Sequence, residues 1–67
     1  MSVEQRIAQE IKSAGVTVAW VCRKTAIPRG RLYPSLSGRR ELRADEFLSI
    51  CQILRLDPRE LMEEVNA

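Results

Sequence analysis

The run Thr17-Val18-Ala19-Trp20-Val21-Cys22-Arg23-Lys24-Thr25-Ala26-Ile27-Pro28-Arg29-Gly30-Arg31-Leu32-Tyr33-Pro34-Ser35-Leu36 divides into two short helices. Thr17 is a good N-cap, because its hydroxyl can accept a bond from an amide of the first turn. Val18, Val21, Cys22 and Thr25 then share one face at helical spacing. Ala26 and Ile27 form a tight connection. Pro28 forces Ile27 out of the helical region and fits the first turn of a second helix. That helix is expected over 28–36, with Leu32 and Leu36 as its i, i+4 anchors and Gly38 as its stop.

The flanks also read as helices. Ser2 and Gln5 have the spacing of a capping box. Val3, Ile7, Ile11 and Ala14 follow at helical spacing, and Gly15 sits where a left-handed cap is expected. Ser37-Gly38-Arg39-Arg40-Glu41-Leu42-Arg43 reads as a basic loop. A fourth helix begins near Ala44, with Asp45 and Glu46 in the first turn, where the helix dipole favours acids. Phe47, Ile50, Cys51 and Leu54 form its apolar stripe, widened by Leu48. Asp57-Pro58-Arg59-Glu60 opens a short fifth helix, with an N-cap Asp, Pro at the first position and an acid at the third. No stretch alternates as a strand would. The expected fold is all-α, with five helices in a single domain over 1–67.

Charge is segregated along the chain. The net charge is +2, but residues 23–43 hold seven cations against Glu41 alone, while 44–67 hold six acids against Arg55 and Arg59. The middle third is therefore strongly basic, and six of its seven cations are arginines, suited to phosphates and guanine edges. Nucleic acid is the natural partner for such a patch. The bland alternative is a solvated surface.

Composition excludes other classes. The chain has no histidine and two cysteines, Cys22 and Cys51, without CxxC spacing. That removes the usual general base, the Ser-His and Cys-His pairs, and any zinc site within one chain. No cofactor is expected, an enzyme is not, and the cysteines are expected reduced and buried. The apolar fraction of 45% fits a folded domain, without a run of the roughly 20 residues that span a membrane. The N-terminus lacks the layout of a signal peptide. A cytoplasmic protein without membrane association is expected.

Two short helices, a three-residue joint and a basic loop are the layout of a helix-turn-helix. The chain resembles the phage repressor/Cro type, the XRE family of lambda-repressor-like domains, over roughly residues 3–63. The resemblance is carried by Ala14-Gly15-Val16-Thr17, by Val21-Cys22 and Ala26-Ile27, and by Leu36-Ser37-Gly38-Arg39-Arg40. It continues through Phe47-Leu48-Ser49-Ile50-Cys51-Gln52-Ile53-Leu54 and Leu56-Asp57-Pro58-Arg59-Glu60-Leu61. It implies a sequence-specific DNA-binding transcriptional regulator of the Cro or small-repressor kind, of a phage, prophage or other mobile element. The helix over 28–36 would enter the major groove, in a dimer on a two-fold operator. Base contacts would then fall to Arg29, Gly30, Arg31 and Tyr33, with Arg29 the foremost reader. Phosphate contacts would fall to Thr17, Lys24, Ser37, Arg39, Arg40 and Arg43. Tyr33 is open between groove contact and packing, and Trp20 is read at the edge of the core.

Departures from the family pattern carry their own expectations. Val18 stands where many members place a DNA-contacting glutamine. Ala26 replaces a common glycine, which costs roughly 1 kcal/mol if the residue is left-handed. Ser35 replaces an apolar residue, leaving Leu36 with more of the packing. Pro34 and Gly30 weaken the second helix of the motif, which is expected to be kinked, very short or partly 3₁₀. Leu56, Leu61, Met62 and Val65 either make a weak homodimer or close the monomer's core. The alternative function is a protein-binding module, such as the DNA-binding antitoxin of a toxin–antitoxin pair, whose acidic C-terminal third holds a basic partner.

Overall fold

The computed structural model describes residues 1–66. They form five helices: α1 (Val3–Ala14), α2 (Val18–Thr25), α3 (Arg29–Leu36), α4 (Ala44–Leu54) and α5 (Pro58–Asn66). No strand occurs among the described residues. None of these helices is long and apolar enough to cross a membrane.

Local chemistry sets most boundaries. The Ser2 hydroxyl accepts from the Gln5 amide at 3.1 Å, and the Gln5 side chain accepts from the Ser2 amide at 2.9 Å. Gly15 ends α1 at φ 72°. Thr17 Oγ1 accepts from the Trp20 amide at 3.0 Å and starts α2. Asp57 caps α5 through the Arg59 amide at 2.9 Å. Pro28 stands one position earlier than expected: it is the N-cap of α3, at φ −62° and ψ 146°, rather than its first helical residue. Its carbonyl accepts from the Arg31 and Leu32 amides at 3.0 Å each.

Three residues join α2 to α3, as many as join α1 to α2 and α4 to α5. Ala26 ends α2 at φ 62°, the left-handed conformation that glycine adopts more cheaply. Thr25 ties the turn together: its hydroxyl donates to the Val21 carbonyl at 2.7 Å and accepts from the Ile27 amide at 3.3 Å. Ile27 is then buried against the core.

Residues 29–36 form one eight-residue α-helix that continues through Pro34, without the 3₁₀ character expected of them. The bond that proline deletes would have reached the Gly30 carbonyl. Gly30 is exposed in the first turn of α3, and a Cβ placed on it would meet open space. Gly38, at φ 86°, closes the helix: its amide reaches the Ser35 carbonyl at 3.1 Å, and the Arg39 amide reaches the Pro34 carbonyl at 2.8 Å.

Ile7 and Ile11 of α1, Val21 and Cys22 of α2, Ile27, Leu32 of α3, Phe47, Ile50 and Cys51 of α4, and Leu61 of α5 form the core. Trp20 packs at its edge. Both cysteines are free and buried. Glu4 adds a polar tie, accepting the Leu42 amide at 2.8 Å, so the start of α1 holds the loop that precedes α4. Arg6 pairs with Glu10 at 2.8 Å and with Glu64, joining α1 to α5.

Candidate nucleic-acid interface

The packing of α3 decides which of its side chains face outward. Leu32 and Ser35 are fully buried and Leu36 is half-buried, so they mark the inner face. At 100° per residue, Gly30, Tyr33, Pro34 and Ser37 then lie on the outer ridge, with Arg29 and Arg31 flanking it on either side. Arg29, Gly30, Arg31, Tyr33 and Ser37 are all exposed. Tyr33 keeps 48% of its surface open, which places it on the outer ridge rather than in the core.

Five of the six expected phosphate residues are exposed, three of them cations. Lys24 is exposed in the last turn of α2, its ammonium 5.8 Å from the Trp20 ring. Arg39 is exposed just beyond the Gly38 turn. Arg43 meets Asp45 at 3.3 Å, an exposed pair of the kind that contributes little. Thr17 is exposed but its hydroxyl already caps α2, and the Ser37 hydroxyl donates to the Pro34 carbonyl at 3.1 Å. Among the described residues Arg23, Lys24, Arg29 and Arg39 pair with no acid.

Arg40 differs from the rest of this set in being engaged within the chain. Its guanidinium turns inward and binds Glu46 through both nitrogens, at 3.1 and 3.2 Å. It also donates to Ser35 Oγ at 2.9 Å and to the Arg31 carbonyl at 3.4 Å. With its fork engaged by four acceptors of the chain and its side chain 27% exposed, Arg40 is less available to a phosphate than Arg39.

Glu46 and Ser35 are the residues that sequence reasoning missed here. Glu46 was expected only to complement the dipole of α4, and it is 4% exposed. Its Oε1 accepts the Arg43 amide at 2.9 Å, so it also caps its own helix. Burial pushes its carboxyl up. The Arg43 amide, the Arg40 hydrogen bonds and the Arg40 charge outweigh that and hold it below the ordinary value. Arg31 approaches the other oxygen at 3.8 Å. Ser35, expected to leave packing to Leu36, is instead the more deeply buried of the two. Its hydroxyl donates to the Arg31 carbonyl at 3.0 Å while it accepts from Arg40. The one advance signal for Glu46 was its position three residues into a helix that lacks a Ser, Thr, Asp or Asn cap.

The expected dimer residues separate. Leu61 is 4% exposed and belongs to the core of the single chain. Leu56 and Val65 are half-buried, and Met62 is exposed. Met62 opens instead onto a groove shared with Val3, Leu42, Phe47 and Leu48, rimmed by Glu4 and Glu41. No family model, curated protein or solved structure compared with the chain matches it.

Proposed function

We propose that the chain is a sequence-specific DNA-binding regulator, with α2 and α3 acting as a helix-turn-helix of the repressor/Cro kind. The observation that carries the reading is the outer surface of α3 and its flanks. Arg29, Gly30, Arg31 and Tyr33 are exposed on a short helix, and Lys24 before it and Arg39 and Arg43 after it are exposed cations. Helix α3 enters the major groove by its N-terminal end, where Arg29 reads a guanine edge. Gly30 leaves room for close approach, and Tyr33 lies one turn further along. Lys24, Arg39 and Arg43 bind flanking phosphates, which fix register without reading sequence. Thr17 and Ser37 border that surface. One domain of this size reads half an operator, so two copies would occupy a two-fold site.

A selection from randomised duplex DNA, followed by a salt titration of the enriched sequence, tests this. An enriched palindrome whose affinity falls steeply with salt is expected. Arg29→Ala should then lose preference at one base position, with a cost of about 1–3 kcal/mol. Weak binding without enrichment would favour the second reading, a protein-binding module of the antitoxin kind. That reading has its own observation in the apolar groove at Val3, Leu42, Phe47, Leu48 and Met62.

A further inference from the structure

The carboxylate of Glu46 has a place for one more donor. Its Oε1 is filled by the Arg43 amide at 2.9 Å and Arg40 at 3.1 Å. Its Oε2 holds Arg40 at 3.2 Å and has one acceptor position left. Arg31 Nη1 lies 3.8 Å from that oxygen, an ion pair without a hydrogen bond, and its side chain is 54% exposed. Arg31 thus stands between a buried anion behind it and the open surface in front. Its backbone does not share that freedom: the Arg31 carbonyl is held by Ser35 Oγ at 3.0 Å and by Arg40 at 3.4 Å. Only the guanidinium has two places to go.

We propose that Glu46 is a specificity-setting residue of the interface, holding Arg31 back from DNA unless the protein is seated on its preferred sequence. The inference rests on the DNA-binding reading above. A loosely docked, sliding complex offers phosphates at shifting positions in high dielectric, where each ion pair is weak and screened. The partly buried carboxylate is a fixed competitor that salt screens less. Seated in register, the groove presents an acceptor at fixed geometry, and Arg31 leaves Glu46 for it. Arg40 stays behind as the permanent counter-ion, so the departure leaves no buried charge unpaired. Arg39 faces no such competitor and binds phosphate in both modes. Glu46 touches no DNA: it acts through Arg31, as a positioning residue.

The test compares salt slopes on a random duplex and on the selected sequence. On the random duplex, Arg39→Ala should flatten the slope by about 0.9, the value of one phosphate contact, while Arg31→Ala leaves it unchanged. On the selected sequence, Arg31→Ala should lower affinity about tenfold or more. Glu46→Gln should steepen the random-duplex slope by about 0.9, and the double variant with Arg31→Ala should return it to the wild-type slope. Equal flattening by Arg31→Ala and Arg39→Ala on random DNA would overturn the proposal. So would a Glu46→Gln gain that survives the loss of Arg31, which would assign it to a released Arg40. Arg31 and Arg39 are exposed, so their comparison stands even where Glu46→Gln fails to fold. A wild type with no salt-dependent binding to any duplex takes down the DNA reading and this proposal together. Salt-dependent binding with equal slopes takes down this proposal alone.

Discussion

Two residues carry left-handed backbone without being glycine: Ala26 at φ 62° and Arg55 at φ 57°. Each stands at the turn that ends a helix, and each side chain is exposed. The strain of such a residue is roughly 1–2 kcal/mol, and glycine removes it at some cost in chain entropy. Ala26→Gly and Arg55→Gly should each stabilise the fold by about 1 kcal/mol, raising Tm by about 4–8 °C in a chain of this size. Thermal melts of the two variants check this, and an unchanged or lower Tm would mean that the turn is not strained. The cost at Ala26 was legible in advance as a condition, because the resembled family commonly has glycine at that turn, and the left-handed backbone meets the condition. Arg55 was not, since nothing in Leu54-Arg55-Leu56 marks a helix stop. Its turn is instead set by bonds from the Arg55 and Leu56 amides to the Gln52 and Cys51 carbonyls, at 3.3 and 2.9 Å. Glu46 gives the residue scale its pH dependence. Its carboxyl is held below the ordinary value of 4.5 in the folded chain. A lowered folded value means that the stabilisation is present above the unfolded value and is lost as pH falls through the folded one. The urea midpoint should fall as pH drops below about 4.5, and Glu46→Gln should remove part of that fall. An identical pH profile in the variant would show that Arg40 contributes nothing through this carboxylate.

Helix α3 is the weakest element by intrinsic preference, with Gly30 and Pro34 within eight residues. Its order comes from outside itself: Leu32 is fully buried, the Gly38 turn seals its end, and Arg40 bonds the carbonyl of Arg31 and the hydroxyl of Ser35. The burial of Leu32 and the Arg40 bonds come from tertiary packing, which explains why the sequence pointed to a weaker helix than the continuous α-helix that stands. Helix ends were easier to read, because Ser2, Thr17, Asp57, Gly15 and Gly38 each act on neighbours within a few residues. The Arg40–Glu46 pair spans a loop, and no local spacing announces it. A Cβ at Gly30 meets nothing within 4 Å, so the fold itself does not require glycine there. Gly30→Ala should therefore stabilise the protein by up to about 1 kcal/mol. On the DNA-binding reading the same change should weaken binding, since the added methyl stands on the outer ridge at the point of closest approach. Denaturation and DNA titration of one variant separate the two effects. Gains in both would place Gly30 outside the interface.

At the scale of the whole molecule, a chain with a radius of gyration of 10.7 Å has little core to lose. Stability for 67 residues is of order 3–10 kcal/mol. Its single buried anchor on α5 is Leu61, and α5 is otherwise joined to α1 by Arg6–Glu64 and by half-buried side chains. The sequence left α5 undecided between closing the core and joining two copies, because an apolar stripe on a terminal helix has the same spacing in either case. Burial of Leu61 separates it from its exposed neighbour Met62. Leu61→Ala should cost about 2–5 kcal/mol, a large share of the total, and the loss should be the same at every protein concentration. Met62→Ala should change stability by less than about 0.5 kcal/mol. Urea unfolding at micromolar and at hundredfold higher concentration distinguishes the cases. A Leu61→Ala defect that grows on dilution would mean that α5 holds copies together, whereas a constant one keeps Leu61 within the chain's own core. In the constant case any pairing of copies must use other surface, and Met62 with Leu48 (both exposed along the groove against α1) is where a concentration-dependent effect of Met62→Glu should then be sought.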